Sequence, residues 1–284
     1  MIFNRRRRAD APAVEITAEL RGLKDWEDLI GQNPHFRDSG WIRDVALRVI
    51  AAGAMEPLTN TRIPPGELQF SDNLREGFVY SLVNSRMRAV LLCIQWLLAD
   101  QPWGNVKIYA TEALTPFALR LRGIFPKFIG SEYSESEEQR QDLYPIRCED
   151  LQNLSFPDDS FHIVTTNEVL EHVPSIDEAL AEIYRVLRPG GWHVGTIPFA
   201  MAQYPSLVKA RLENGEIVHL SEPEYHGNPV DERGSLVFEV PGWDILDRAK
   251  AVGFRDAHVK FIVSSQFACL SSDAGGIFVF CFQK

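Results

Sequence analysis

The stretch RCEDLQNLSFPDDSFHIVTTNEVLEHVPSIDEALAEIYRVLRPGGWHVGTIPF, from Arg147 to Phe199, decides the fold of this protein. Its run from Ser160 to Thr166 is short, apolar and β-branched, which is typical of a buried parallel strand. Asn167 and Glu168 follow, at the point where strand becomes loop. Because open α/β sheets bind ligands beyond the carboxyl ends of their strands, the sequence predicts a ligand site at this edge.

The next part of the stretch predicts an amphipathic helix. Apolar residues recur at spacings of three and four from Ile176 to Leu187, which gives one stripe to pack on a sheet. Ser175 is a candidate N-cap, with Glu178 completing a capping box, and Pro189 to Gly191 should end the helix. The apolar run Trp192 to Phe199 then predicts a second strand, so the unit is a strand, helix, strand crossover.

These motifs resemble those of the class I S-adenosylmethionine-dependent methyltransferases. The resemblance is carried by Asp150 with LSF at 154–156, by PDDSFHIV, by EVLEHV and by YRVLRPGG, a combination that spans about fifty residues. It implies an α/β fold with a Rossmann-like, seven-stranded, mostly parallel sheet whose last strand is antiparallel, plus a helical N-terminal element. It also implies S-adenosylmethionine as the cofactor.

The remaining sequence suggests how the chain is divided. Residues 1–100 show helical periodicity and are interpreted as a helical N-terminal extension or cap, and residues 101–284 as the methyltransferase domain. Residues 200–241 form a long insertion that is expected on the acceptor side. The expected segments are helices at Trp41–Ala51, Asn84–Leu98 and Pro116–Phe125, and strands at 106–110, Lys127–Ser131, Ala257–Ser264 and Gly276–Gln283.

The first strand of the domain leads into Thr111–Thr115, where the family has a glycine-rich turn and this chain has no glycine. Left-handed backbone costs residues with a Cβ about 1–2 kcal/mol, so the loop should take another path or find room elsewhere. Either Glu112 replaces the backbone contacts, for instance by binding the ammonium of the methionine moiety, or the cofactor site is weakened and the protein is non-catalytic. We favour the first, because Glu132, Asp150 and the loop after the Ser160 strand remain in place.

Two carboxylates are expected at the adenosine end of the cofactor. Glu132 closes the second strand and can accept hydrogen bonds from both ribose hydroxyls. The resemblance implies that Asp150 accepts a bond from the adenine amino group; the alternative is an aspartate that caps a loop. The full set of predicted cofactor-binding residues is Thr111, Glu112, Ala113, Glu132, Tyr133, Asp150, Leu151, Asn167, Val169 and Leu170.

Predicted catalytic residues come from the insertion, in the sequence EPEYHGNP. His226 and Tyr225 could act as general base or orient an acceptor hydroxyl. The alternative is a turn held by Gly227 and Pro229 with incidental polar neighbours. A second polar group precedes the apolar run 89–98 and is interpreted as a solvated helix face with ion pairs; it comprises Arg75, Glu76, Asn84, Arg86 and Arg88.

Composition excludes several classes of function. A net charge of −10 argues against broad binding of nucleic acid, and no apolar run approaches the ~20 residues that span a bilayer. The four cysteines are scattered, so we predict neither a metal site nor a disulfide framework. The N-terminus does not resemble a secretion signal, Arg5–Arg8 is interpreted as a solvated tail, and a cytoplasmic location is expected.

The predicted function is therefore methyl transfer from S-adenosylmethionine to an O or N atom of a small-molecule or sugar-like acceptor, and we allow for a homodimer. The alternative is a non-catalytic binding or scaffold protein with the same fold. An NAD-dependent oxidoreductase would need a glycine-rich dinucleotide fingerprint, and this chain has none.

Overall fold

The computed structural model describes residues 13–134, 136–228 and 231–284. The tail at Arg5–Arg8 lies outside them. The helices are α1 Leu23–Gln32, α2 Ser39–Ala52, α3 Leu74–Gly77, α4 Ser85–Leu97, α5 Pro116–Ile124, α6 Glu137–Asp142, α7 Ile176–Val186 and α8 Ile245–Val252, with 3₁₀ turns at Pro34–Arg37, Trp103–Asn105 and Leu170–His172.

Strands occur along the whole described part of the chain. They are β1 Glu15–Leu20, β2 Ala54–Met55, β3 Arg62–Ile63, β4 Lys107–Ala110, β5 Lys127–Glu132, β6 Arg147–Cys148, β7 Phe161–Asn167, β8 Leu187–Thr196, β9 Leu207–Val208, β10 Ala210–Glu213, β11 Glu216–His219, β12 Tyr225–Asn228, β13 Asp231–Leu236, β14 Glu239–Val240, β15 Asp256–Ser264 and β16 Ile277–Gln283.

One large sheet organises the fold, in the strand order β1-β15-β16-β8-β7-β4-β5-β6. Strands β6, β5, β4, β7 and β8 are parallel neighbours, whereas β16 runs antiparallel to both β8 and β15. The predicted α/β fold with a mostly parallel, Rossmann-like sheet and an antiparallel last strand is confirmed. Since β4, β5 and β7 are adjacent, their carboxyl ends bring the expected site residues to one edge.

An eighth strand extends the sheet beyond the seven that were predicted. Residues Glu15–Leu20 pair antiparallel with β15, from Glu15 opposite Ser264 to Leu20 opposite Val259. The sequence EITAEL alternates polar and apolar residues over only six positions, and its partner strand lies far away in the sequence. The pattern was therefore too short to predict a strand. The region before residue 100 thus contributes a strand as well as helices.

Helices cover both faces of the sheet. Along β7, Ile163 packs in a cluster with Leu92 of α4, whereas Val164 packs in the other cluster with Ile183 of α7. Because successive residues of a strand point to opposite faces, α4 and α7 lie on opposite sides. Helix α8 packs beside α7.

The crossover between β7 and β8 differs in detail from the prediction. Ser175 caps α7 by accepting a bond from Glu178 N at 3.3 Å, but Gln152 Oε1 takes the role expected of the Glu178 side chain and accepts from Ser175 N. Strand β8 begins at Leu187 rather than Trp192, because Leu187 pairs with Phe161 before the strand register shifts. The Pro-Gly-Gly turn therefore lies inside β8.

Candidate functional site

Glu112 and Asn167 meet at the carboxyl edge of β4 and β7. Asn167 Nδ2 donates to Glu112 Oε1 at 2.6 Å, and the Thr115 hydroxyl donates to Glu112 Oε2. Both side chains are at least nine-tenths buried, and burial raises the pKa of Glu112. The two residues form one polar unit beneath the glycine-free loop.

Glu132, at the end of β5, holds that loop from the other side. Its Oε1 accepts from Ala113 N at 2.9 Å and from Leu114 N at 3.1 Å. Burial raises the pKa of Glu132, and the two amide bonds oppose this shift. The second oxygen, Oε2, takes no part in these two bonds with the loop.

The loop itself follows a path that needs no glycine. None of the residues from Thr111 to Thr115, all of them described, has a positive φ. Room comes from Gly130 of β5 instead, because a Cβ there would lie 2.6 Å from Glu112 O and 3.0 Å from Ala113 Cα. The loop therefore both takes another path and finds space on the neighbouring strand.

Two polar atoms beside Glu112 are buried and lack a hydrogen-bond partner within the described part of the chain. They are Thr111 Oγ1 and Asn167 Oδ1. Buried polar groups are almost always hydrogen-bonded, so both atoms indicate a place for a polar ligand. Each is the side chain of a predicted cofactor-binding residue.

The other predicted cofactor residues are spread along the same edge. Asp150 is exposed, and its Oδ1 accepts from Gln152 N at 2.9 Å, so in this structure it caps a turn. Leu151 and Leu170 are buried, with exposed fractions of 5% and 2%, whereas Val169 is half-buried and Tyr133 is 51% exposed. Asp150 thus adopts the loop-capping geometry while its exposed position leaves it accessible.

The N-terminal region reaches this edge through an ion pair that the sequence did not predict. Arg75 of α3 donates to both carboxylate oxygens of Glu168, at 2.6 and 3.0 Å. Glu168 has a left-handed backbone with a φ of 55°. Although burial opposes the shift, Arg75 and Arg86 lower the pKa of Glu168. Arg86 also bonds Thr196 Oγ1 at the end of β8.

The interpretation of this polar group as a solvated helix face was wrong, although the expected ion pairs are present, between Glu76 and both Arg75 and Arg86. Arg88 is fully buried and bonds the carbonyl oxygens of Phe78, Val83, Phe267 and Ala268. The helix α4 is buried on most of its surface, because the sheet covers one side and the N-terminal segment another. Its periodicity was therefore too weak to reveal an outer face.

The insertion docks on the 3₁₀ turn Leu170–His172 that follows β7. Its Phe238 N donates to Glu171 O at 2.7 Å, and His172 Nδ1 donates to Leu236 O at 2.8 Å. This contact places His226 Nδ1 3.7 Å from Glu171 Oε1. Residues that are distant in the sequence thereby form one acidic and histidine-rich group.

The two predicted catalytic residues differ in their surroundings. Tyr225 is 56% exposed, whereas His226 is partly buried between Glu171 and Glu224. The Glu171 carboxylate raises the pKa of His226 to about 9 against the opposing effect of burial, and Glu224 adds to the rise. His226 therefore faces a carboxylate on each side, whereas Tyr225 is largely open to solvent.

Arg75, Glu171 and His172 were missed as site residues. Glu171 and His172 belong to the EVLEHV motif, so the motif itself was a signal that they stand at the ligand edge. Arg75 had no such signal, since its partner Glu168 lies in another part of the chain. Within the described part of the chain, no helix is both long and apolar enough to cross a bilayer.

Comparison with known proteins shows a family match in the central part of the chain. Residues 109–195 match the family described as "Methyltransferase domain". The 24-methylenesterol C-methyltransferase 2 of Arabidopsis thaliana is 29% identical over 122 residues, which cover 43% of this chain and 30% of the plant protein. The phthiotriol/phenolphthiotriol dimycocerosates methyltransferase of Mycobacterium leprae is 28% identical over 159 residues, 56% of this chain and 57% of that protein.

A shorter and more similar match lies in the same region. The ubiquinone/menaquinone biosynthesis C-methyltransferase of Hydrogenovibrio crunogenus is 44% identical over 57 residues, 20% of this chain and 22% of that protein. The chain therefore spans between about a fifth and three fifths of these relatives. Among solved structures, an S-adenosylmethionine-dependent methyltransferase from Mesorhizobium loti aligns with a TM-score of 0.45 at 17% identity, over 67% of this chain and 97% of that one.

Proposed function

Residues 109–195 form a class I S-adenosylmethionine-dependent methyltransferase domain, and on this premise we propose that the protein transfers a methyl group from S-adenosylmethionine to a small-molecule acceptor. The observation that carries the proposal is the pair of buried atoms Thr111 Oγ1 and Asn167 Oδ1 beside the Glu112 carboxylate, which find no hydrogen-bond partner among the described residues. This polar group lies where a parallel sheet binds its ligand.

The residues at the edge fit the chemistry of this cofactor. We assign Glu132 Oε2 to the ribose hydroxyls, because Oε1 is committed to the amides of Ala113 and Leu114. We assign Glu112 and Asn167 Oδ1 to the ammonium of the methionine moiety, since a cation is the group that a carboxylate and an amide oxygen attract. Asp150, Leu151, Tyr133, Val169 and Leu170 are the remaining proposed contacts.

The protein's own contribution would be alignment and exclusion of water. When bound, the cofactor supplies an activated methyl group, so the chain must hold the acceptor atom in line with it. Orientation of this kind contributes roughly 7–11 kcal/mol to lowering a barrier. The Arg75–Glu168 pair, which ties the N-terminal region to the sheet edge, supports a closed site of this type.

We propose an oxygen or nitrogen atom of a polar small molecule as the acceptor. Tyr225, His226 and Glu171 offer a hydroxyl, an imidazole and a carboxylate on the insertion side, and such groups orient a hydroxyl or amine by hydrogen bonds. Two of the relatives described above are named C-methyltransferases, so a carbon acceptor is the competing outcome.

A second candidate, a non-catalytic binding protein, is favoured by one observation. Glu112 and Glu132 are already bonded to groups of their own chain, Thr115, Asn167, Ala113 and Leu114. If these contacts are permanent, the carboxylates would close the site instead of binding a ligand.

Calorimetric titration separates the two candidates. We expect the folded protein to bind both S-adenosylmethionine and S-adenosylhomocysteine. If neither titration shows binding, the non-catalytic binding protein is the supported candidate. The acceptor would then be sought by mass spectrometry with methyl-labelled cofactor. His226→Ala should lower turnover and leave cofactor affinity unchanged if the insertion forms the acceptor side; weaker cofactor binding would contradict that placement.

A further inference from the structure

We propose that Glu171, His172 and His226 form a binding site for a divalent transition-metal ion, with Zn²⁺ the best match. Each residue offers one ligand atom, and these three atoms lie within 4.8 Å of one another. Two imidazoles and one carboxylate are the donor set of many zinc sites with an open position. This inference does not depend on methyl transfer.

The spacing of the ligand atoms suits a single ion. His172 Nε2 lies 3.4 Å and His226 Nδ1 3.7 Å from Glu171 Oε1. Ligands bound at about 2.0–2.2 Å in a tetrahedral arrangement are roughly 3.3–3.6 Å apart. Small side-chain rotations would therefore bring all three atoms into coordination.

Hydrogen bonds on the far side of each ring select the required nitrogen. His172 Nδ1 bonds the carbonyl oxygen of Leu236 at 2.8 Å, and His226 Nε2 bonds the carboxylate of Glu224 at 3.1 Å. Both partners can only accept, so these nitrogens carry protons and the opposite nitrogens face Glu171. Metal-bound histidines almost always donate their other N–H in this way.

Glu171 supplies an independent sign of a missing ligand. Its side chain is fully buried, and within the described part of the chain neither carboxylate oxygen accepts a hydrogen bond, although the ring nitrogens of His172 and His226 lie 3.4 and 3.7 Å from Oε1. A buried carboxylate without such bonds is costly, and a divalent cation would satisfy it. The residue is also fixed in place, because its backbone oxygen accepts from Phe238 N.

No sequence pattern predicts that these three residues meet. Its ligands come from the motif after β7 and from the first strand of the β12–β13 hairpin, so only docking of the insertion brings them together. The prediction that the chain has no metal site considered cysteine spacing alone. Lys209, which binds the other oxygen of Glu224, keeps that carboxylate available as an acceptor.

The test is titration of chelator-treated protein with Zn²⁺ by calorimetry and with Co²⁺ by visible spectroscopy. We expect one ion per chain for the natural sequence. Glu171→Gln and His226→Asn should each weaken binding at least about 100-fold, since changes to outer partners alone cost about 10–100-fold. His219→Asn, an exposed histidine of the same insertion, is the matched control and should bind normally.

The outcomes are distinct. No binding by the natural sequence, or equal binding by Glu171→Gln and His226→Asn, would overturn the proposal. A thiolate charge-transfer band with Co²⁺ would also overturn it, because it would show that a cysteine binds the ion. If Glu171→Gln fails to fold, His226→Asn on the partly exposed hairpin decides alone. Zinc binding without S-adenosylhomocysteine binding would support the metal site and count against the methyltransferase proposal.

Discussion

Replacing Glu132 by glutamine removes one charge from the proposed ribose contact and keeps the length of the side chain. Two loop amides, Ala113 N and Leu114 N, point at Oε1. Because amides donate, they will hold the glutamine oxygen at this position and turn its amino group toward the place of Oε2. The substitution therefore preserves the loop and changes only the atom that we assign to the cofactor.

The magnitude follows from the two hydroxyls of the ribose. A hydrogen bond to a charged group contributes about 1.5–3 kcal/mol and a neutral one about 0.5–1.5 kcal/mol, so each bond should lose roughly 1–1.5 kcal/mol. Two bonds lose about 2–3 kcal/mol, and 1.4 kcal/mol is a factor of ten in affinity. We expect Glu132→Gln to bind S-adenosylhomocysteine about 30- to 150-fold more weakly.

Calorimetric titration measures this loss, and urea unfolding shows whether the fold is kept. Glu239→Gln is the control, since Glu239 is also partly buried and ion-paired, with Arg248 of α8. It should bind the cofactor product normally. Affinity of Glu132→Gln within threefold of the natural sequence, with unchanged stability, would refute the assignment of Glu132 to the ribose.

Three further predictions concern other buried groups. Glu112→Gln should weaken binding of S-adenosylhomocysteine and leave binding of 5′-methylthioadenosine, which lacks the ammonium, unchanged. Equal losses of affinity for both in calorimetric titrations would contradict the assignment of Glu112 to the ammonium. Arg88→Met leaves the carbonyls of Phe78 and Phe267 without their guanidinium donor, and each unsatisfied carbonyl costs about 1–3 kcal/mol. Urea unfolding should therefore show a free energy of unfolding that is lower by about 3 kcal/mol, and a loss under about 1 kcal/mol would contradict this role. Burial lowers the pKa of His193 to about 3. An unfolded histidine has a pKa near 6.5, so the unfolded chain takes up a proton first as the pH falls. The free energy of unfolding should therefore drop by about 1.5–2 kcal/mol from pH 6.5 to 5. Urea unfolding of His193→Gln should lack this drop, and an identical drop would contradict the prediction.

The sequence predicted the parts of the fold that depend on local pattern. The strand at Phe161–Asn167 and the helix at Ile176–Val186 were found almost to the residue, because apolar spacing and the Ser175 cap act within a few positions. Strand β1 was not found, since it pairs with β15 at the other end of the chain. Local patterns report local structure, and pairing between distant segments leaves no such pattern.

The same distinction explains what was predicted of the candidate site. Glu112, Glu132 and Asn167 each follow a recognisable strand, and the rule that parallel strands end at one edge placed them together. The contacts that join separate segments, Arg75 with Glu168 and Glu171 with His226, had no counterpart in the sequence. They depend on how the N-terminal region and the insertion dock.

The glycine-free loop shows that this turn needs glycine for space between strands and not for its own backbone conformation. The backbone from Thr111 to Thr115 avoids left-handed geometry, so it does not need glycine for its own conformation. It still lies so close to β5 that a Cβ on Gly130 would reach within 2.6 Å of Glu112 O. The glycine that this close contact requires is on the neighbouring strand, β5. A loop that keeps its side chains can then place Glu112 against Asn167, which a loop of glycines could not do. This arrangement supports our proposal that the loop exchanges backbone contacts with the cofactor for a side-chain carboxylate, rather than a decayed site.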